Sequence, residues 1–487
     1  LQVGQTRALT PDEAACFRLA AHSGARYALA AFDTRSVEGA RSGPESGPQG
    51  EAVYTLGDGS PMAPTIVPSF VRAEEIDAAS PGDLRVRASA STAPGDPFAR
   101  ATPWREGERF PLRRHDRAET ATARVIKLHG GRFAFAVIED DEGSHTRRFL
   151  DQATEAMEFL VRQGVPVWER AFGPAAPVTS AGAGQLLVVF ASWAPEGGAG
   201  IASTQANPDG SGVGSVVWMN LEMRPGVRDH FETYDFASYR LKVLAHEITH
   251  AWQMRWAYDT QPAGPRAVSF GPVWALEGAA DLVSLDLVRR FLGVGLTANY
   301  DWSAQLRTLN RNIAYAMEPA DTRGRLARGY FDASSFLRDL QLRLVRRGRT
   351  PDDALAEVAR GAVEGWFGVD GAGVRRQGLT ARMRAALDPR WEPADAVLLW
   401  TLTQAVDDQT GVPELNNAAY ARVSDDDAQY AWKPAVDDLE AGRAFAYEVR
   451  GTPGGSFYVR LKDGGKGGVF SARSTLTGAR WMLVRSR

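Results

Sequence analysis

Cysteine is nearly absent from this sequence, since Cys16 is the single cysteine among 487 residues. No disulfide can form within the chain, and a lone cysteine is more typical of a small core residue than of a nucleophile. No apolar run reaches the roughly 18 residues of a membrane-spanning helix, so we predict none. Neither sign of charge dominates, because 56 basic and 59 acidic residues leave a net charge of −3. This balance gives no electrostatic argument for binding nucleic acid or an anionic membrane.

Histidine is also scarce, yet two of the 7 histidines stand in one short motif, His246-Glu247-Ile248-Thr249-His250. In a helix, residues four apart share a face, so two imidazoles at this spacing can bind one zinc ion while Glu247 acts as a base. The alternative is an ordinary helix with one histidine in the core and one at the surface. The flanks predict a helix, because apolar residues recur at intervals of three and four: Leu241, Leu244, Ile248, Ala251 and Trp252.

A catalytic zinc needs a third protein ligand and an open fourth position. A second predicted helix begins near Pro272 and places Glu277 and Asp281 four residues apart on one face. We expect Glu277 to bind the metal and Asp281 to accept a hydrogen bond from a liganding histidine, which would fix its tautomer. Alone, Glu277 would be a solvated helix carboxylate. Its small neighbours, Gly278 to Ala280, allow close helix packing and favour the ligand role.

The pattern His246-Glu247-x-x-His250 followed by Glu277-x-x-x-Asp281 resembles the gluzincin metallopeptidases, the thermolysin-like group. The segment from Trp274 to Ala280 is similar to the bacterial branch that includes hyicolysin-like and aminopeptidase-like peptidases. The resemblance covers roughly residues 125 to 386. It implies one catalytic zinc ion held by two histidines and a glutamate, with an inserted loop from Tyr258 to Gly271.

Two further site elements are implied by the resemblance. The segment around Tyr330 resembles the place where these families hold a tyrosine beside the zinc, and the alternative is a buried structural aromatic. In thermolysin-like folds an edge strand before the zinc helix pairs with the substrate backbone, which implies Trp218, Met219 and Asn220 as the substrate strand. A plain core strand is an equal alternative. This strand lacks the Gly-x-Met-Glu-Asn pattern of the aminopeptidase branch, which argues against capture of a free substrate N-terminus.

The chain as a whole is expected to be a multidomain α+β protein. We predict an N-terminal β domain with an extended linker over residues 1–120 and a metallopeptidase domain, a mixed sheet with a helical subdomain, over 121–390. A C-terminal β-sandwich-like domain is expected over 391–487, beginning with a strand at Val397 to Leu402. Within the first domain we expect a loop from Arg35 to Glu51 and a strap from Ala78 to Asp116.

These observations predict a zinc-dependent endopeptidase acting on proteins or peptides, with Glu247 as general base. Two alternatives stay open: a non-catalytic surface or scaffold protein with a relic zinc site, and a zinc hydrolase of non-peptide substrates. The acidic run Asp425 to Asp427 could bind calcium, but it has no calcium-loop signature, so a solvated turn is the simpler interpretation. We expect a secreted, periplasmic or cell-surface location, with no signal peptide visible from Leu1.

Overall fold

The protein is represented by a computed structural model. The structure describes residues 1–19, 24–34, 52–58, 63–67, 96–115, 119–141, 144–193, 200–206, 213–221, 236–260, 273–293, 330–368, 375–406, 436–441, 443–451, 456–463, 467–475 and 479–486. Its helices are α1 (Pro11–Ala15), α2 (Ser144–Phe159), α3 (Val165–Phe172), α4 (Phe236–Asp259), α5 (Val273–Phe291), α6 (Tyr330–Arg346), α7 (Pro351–Val363), α8 (Gly378–Ala386) and α9 (Pro393–Val406).

The strands of the first half are β1 (Thr6–Leu9), β2 (Phe17–Leu19), β3 (Arg26–Phe32), β4 (Ala52–Gly57), β5 (Thr65–Val67), β6 (Arg109–Arg113), β7 (Thr120–His129), β8 (Phe133–Ile138), β9 (Leu186–Ala191), β10 (Gly200–Ala206) and β11 (Val213–Asn220). The C-terminal strands are β12 (Val436–Ala441), β13 (Ala446–Gly451), β14 (Ser456–Asp463), β15 (Gly468–Ser474) and β16 (Arg480–Arg485). The molecule is therefore a mixed α+β fold, as predicted.

A six-stranded mixed sheet, in the order β10-β11-β9-β8-β7-β6, carries the helices that hold the candidate site. Strands β8, β9 and β11 run parallel to one another, and β10 pairs antiparallel with β11. Alternate residues of the sheet, including Val188 and Val217, pack in one core with α4. Residues on the opposite face pack with Phe98 and Trp104, so the described part of the predicted strap covers the back of this sheet.

The predicted boundary at residue 120 is wrong, because β6 pairs with β7 along Arg109–Arg113 and Thr120–Arg124. Residues 109–113 therefore belong to the six-stranded sheet. Strands β7 and β8 form a hairpin, with its turn at Gly130 and Gly131 in the positive-φ region that glycine adopts without strain.

The two terminal β domains predicted from the sequence are one β-sandwich. One sheet has the order β1-β16-β3-β14-β12 and the other β2-β15-β4-β13-β5, so each contains strands from both ends of the chain. Leu29 and Val459 of the first sheet share a core with Leu56 and Phe470 of the second. The site-bearing region is thus inserted between the two halves of a single sandwich.

The predicted strand at Val397 to Leu402 is also wrong, because this segment lies within helix α9. A short apolar run does not distinguish a buried strand from a buried helix. Helix α9 packs against the sandwich, where the Thr401 hydroxyl donates to Ser456 Oγ. Helix α7 is capped at its N-terminus by Thr350, whose Oγ1 accepts from the backbone N–H of Asp353.

Several predictions concern residues that lie outside the described part of the chain: the loop Arg35 to Glu51, most of the insertion Tyr258 to Gly271, and the acidic run Asp425 to Asp427. Among the described helices, none combines the length and apolar character needed to cross a membrane.

Candidate metal centre

Helix α4 is enclosed by other elements, and every residue from Leu241 to Met254 is buried. Among the buried polar residues of this segment, four recur at intervals of three and four: Lys242, His246, His250 and Gln253. Such a spacing places them along one face of the helix, and that face is turned toward α5. Buried polar groups need partners, so the contacts of this stripe define what the site can do.

Three ligand-type atoms from α4 and α5 meet at one point. Nε2 of His246 lies 3.0 Å from Nε2 of His250, and each nitrogen lies 3.1 Å from Oε2 of Glu277. The three atoms form a nearly equilateral triangle. Ligands of a tetrahedral zinc at about 2.0–2.1 Å from the ion stand about 3.3 Å apart, close to these separations. Two imidazoles and one carboxylate are also a donor set that zinc accepts, so these residues fit the metal.

Asp281 lies where the sequence predicts it. Nδ1 of His246 donates to Oδ1 of Asp281 over 2.7 Å, which leaves Nε2 of the ring facing Glu277. Asp281 is 1% exposed and receives a second, charged hydrogen bond from the Lys242 ammonium group, which is 3% exposed. Sequence reasoning missed Lys242. Its spacing of four residues before His246 was the available signal, but a lysine is rarely buried without a partner.

Gln253 is a second buried residue that sequence reasoning missed. Its Oε1 lies 2.8 Å from Nδ1 of His250, and its Nε2 donates to the backbone carbonyl of Leu276 over 3.1 Å. Leu276 immediately precedes Glu277. His246 and His250 therefore each have a hydrogen-bond partner at Nδ1, on the side of the ring away from the candidate metal position. Such partners orient histidine ligands in metal proteins.

Glu247 differs from the other two acidic residues of the site. Glu277 and Asp281 bond to histidines, whereas Glu247 forms no hydrogen bond or ion pair with any residue in the described ranges. It is 9% exposed, and Gly200 of β10 lies against it, since a Cβ on that glycine would stand 2.9 Å from Glu247 Cγ. The carboxylate is thus held beside the histidines without a structural partner.

Burial and neighbouring charges shift the pKa values of the site residues in different directions. Burial alone would lower the pKa of His246, but the carboxylates of Asp281 and Glu277 offset this and raise that pKa to about 9. Burial acts to raise the pKa of Glu277, yet His250 and His246 hold it well below its usual range. A metal ion that binds through His246 Nε2 would have to displace a proton below this pKa, so we expect metal binding to weaken as the pH falls below about 9. Burial raises the pKa of Glu247, which brings it nearer to that of a base working at neutral pH.

Lys242→Met should destabilise the metal-free protein by about 3–5 kcal/mol, the usual cost of removing one partner from a buried ion pair. Methionine keeps the length of the side chain but leaves the buried Asp281 carboxylate with His246 as its remaining partner among the described residues. Urea unfolding in the presence of a chelator measures the change. The double variant Lys242→Met/Asp281→Asn should recover part of the lost free energy of unfolding. A single variant as stable as the wild type would show that the pair contributes nothing to folding.

Close packing between α5 and α6 is confirmed at Gly278. A Cβ at this glycine would lie 2.6 Å from the Cβ of Ala333, so the residue next to Glu277 must be small. Helix α6 begins at Tyr330, but the side chain of Tyr330 lies outside what the structure describes. Its role beside the metal stays a prediction.

The proposed substrate strand Trp218 to Asn220 is contradicted by the sheet order. Strand β11 lies between β10 and β9, so the backbone of Trp218 pairs with Ile201 on one side and Val189 on the other. The Trp218 ring packs on the face of the sheet away from α4, and the Asn220 amide bonds to the backbone of Trp193. The backbones of Trp218 and Met219 are therefore paired on both sides and offer no open edge to a substrate strand. In the described part of the sheet, the edge beside Glu247 is β10.

Comparisons with known proteins found no match for this chain among family models, curated proteins or solved structures. The roles of the site residues therefore rest on their geometry and chemistry.

Proposed function

We propose that the protein is a zinc-dependent endopeptidase of the gluzincin type. The observation that carries this proposal is the convergence of His246 Nε2, His250 Nε2 and Glu277 Oε2 within 3.1 Å of one another, beside a buried Glu247 that has no hydrogen-bond or ion-pair partner among the described residues. A structural zinc site would be closed by a fourth side chain and would need no base. In the described residues, the three-residue cluster has no fourth histidine, cysteine or carboxylate ligand.

When bound, zinc would supply Lewis acidity toward a substrate carbonyl and toward water. Glu247 takes a proton from the attacking water and delivers it to the leaving amine, so the peptide bond breaks with no net change at the carboxylate. Asp281 and Gln253 hold the two histidine rings in place while this proton moves. Tyr330, at the start of α6, is proposed to donate a hydrogen bond to the developing oxyanion.

The edge strand β10 supports a substrate bound in an extended conformation. Gly200, the first residue of β10, lies directly against Glu247, and the next residue, Ile201, is 39% exposed. A peptide that adds to this edge through main-chain hydrogen bonds would lie next to the base, Glu247. Such binding needs no free terminus, which favours an endopeptidase. The thermolysin-like character of the domain is part of this proposal.

Gly200→Val should lower kcat/KM by at least about 10-fold with zinc content unchanged, because a misplaced catalytic group costs this much or more. The first added carbon would stand 3.3 Å from Glu247 Oε1 and 2.9 Å from Cγ, so the carboxylate must shift. Gly200→Ala serves as the graded control and should lose less, since it adds fewer atoms. Full activity in both variants would show that β10 does not constrain the base.

The test of the function is cleavage of casein and of an internally quenched peptide. Activity should stop with a zinc chelator and return when zinc is added back. A chain that binds stoichiometric zinc but cleaves neither substrate would favour the relic site of a scaffold protein. Cleavage of esters or other amides, without peptide cleavage, would favour a hydrolase of non-peptide substrates.

A further inference from the structure

The buried Gln253 side chain has a fixed orientation, because one of its neighbours can only accept hydrogen bonds. The backbone carbonyl of Leu276 lies 3.1 Å from the Gln253 amide nitrogen, so Nε2 must donate to it. The amide oxygen is then turned toward the His250 ring, 2.8 Å from Nδ1. Gln253 is 0% exposed, so water does not compete for these bonds.

The orientation of Gln253 decides which nitrogen of His250 carries the proton. An amide oxygen accepts and does not donate, so the bond to Nδ1 requires a hydrogen on Nδ1. In the neutral ring this leaves the lone pair on Nε2, the atom that faces Glu277 and His246. The backbone of α5 thus sets the tautomer of a ring on α4 through one glutamine.

The same glutamine also fixes where the third ligand stands. Leu276 is the residue before Glu277, so the bond from Gln253 ties the first turns of α5 to the helix that carries both histidines. His246 has a different arrangement, since its Nδ1 is held by the charged Asp281–Lys242 pair. The two histidine rings are therefore held by different residues, and of the two, Gln253 contacts only His250.

We propose that Gln253 is a positioning residue that holds His250 with its proton on Nδ1 and keeps Glu277 in register with it for metal binding. The inference rests on the proposed metal site. A purely structural glutamine would bridge the same two helices for stability, and its loss would lower the melting temperature without altering the ring or the affinity for zinc.

Gln253→Met is the decisive variant, because it keeps the length of the side chain and removes both hydrogen bonds. We expect zinc affinity, measured by competition with a fluorescent chelator, to fall by about 10- to 100-fold, the usual effect of losing an outer partner of a metal ligand. Gln253→Glu keeps an acceptor for Nδ1 and loses the donor to Leu276, so it should lose less affinity than the methionine variant.

The matched control is Thr249→Val, one residue before His250 on the same helix. It removes two buried hydrogen bonds, one received from Trp168 Nε1 and one donated to the Ala245 carbonyl, and touches neither ring of the site. It should lower the melting temperature and leave zinc affinity within about twofold, as expected when no partner of the ligands changes.

The tautomer is read separately by nitrogen NMR of zinc-loaded protein labelled in its 7 histidines, with the His250 ring signals assigned by through-bond correlation to the backbone of His250. We expect His250 in the wild type to carry its proton on Nδ1 and to bind zinc through Nε2, and this signal should shift or broaden in Gln253→Met. Unchanged affinity and an unchanged His250 signal in that variant would overturn this inference alone. A wild-type chain that binds no zinc would overturn the proposed function and the inference together.

Discussion

Glu247→Gln should lose at least about 100-fold in kcat while keeping its zinc, because removing a general base typically costs this much or more. Glutamine has nearly the shape of glutamate, but its amide cannot take a proton from water. The side chain has no hydrogen bond or ion pair within the described part of the chain, so the substitution breaks no such contact there. Burial raises the pKa of Glu247, so a neutral group at this position should be well tolerated for folding.

The measurement pairs single-turnover cleavage of the quenched peptide with zinc analysis of the same sample. Asp281→Asn is the comparison variant. It changes the carboxylate that orients His246 and breaks the buried pair with Lys242, so it should act through stability and zinc affinity and not through proton transfer. At saturating zinc, Asp281→Asn should regain much of its activity and Glu247→Gln should not. Wild-type turnover in Glu247→Gln would remove Glu247 from the role of base.

The sequence was sufficient to predict the helices of the site and their five central residues. The histidine motif on α4 and the Glu277 and Asp281 pair on α5 depend on local helical spacing, which periodicity reports well. Lys242 and Gln253 obey the same spacing. Neither was predicted as a site residue, because a lysine or glutamine beside a motif is usually solvated. Only the packing of α5 shows that both are buried.

Two of the errors have a different physical cause, since they depend on which strands become neighbours. Alternation of side chains indicates a strand but does not name its partner, so nothing local to Thr6 shows that it pairs with Val484. The order of β10 and β11 is likewise a property of the folded sheet. It makes β10, which begins at Gly200, the edge strand in place of the predicted strand at Trp218. For the apolar run at Val397, burial on all sides removed the periodic signal that separates helix from strand.

His250→Ala should lose stoichiometric zinc and, with it, all measurable peptidase activity. The ring supplies one of three ligand-type atoms, and its Nε2 lies within 3.1 Å of both others, so its removal leaves a two-ligand site. Zinc bound by two protein ligands is much weaker than zinc in a three- or four-ligand site. Elemental analysis after dialysis measures the metal, and added imidazole should restore part of the binding by entering the space that the ring vacates.

His129→Ala is the matched control for this prediction, because His129 is another buried histidine, 4% exposed, on β7 and in edge contact with Phe135. Its loss should lower stability through the space left in the core, by roughly 1–3 kcal/mol as for other truncations of buried side chains, while zinc stays stoichiometric. Equal zinc loss in both variants would point to general unfolding. Stoichiometric zinc in His250→Ala would show that His250 is not a ligand. The proposed catalytic site would then be wrong, because His246 and Glu277 alone are too few ligands for a catalytic zinc.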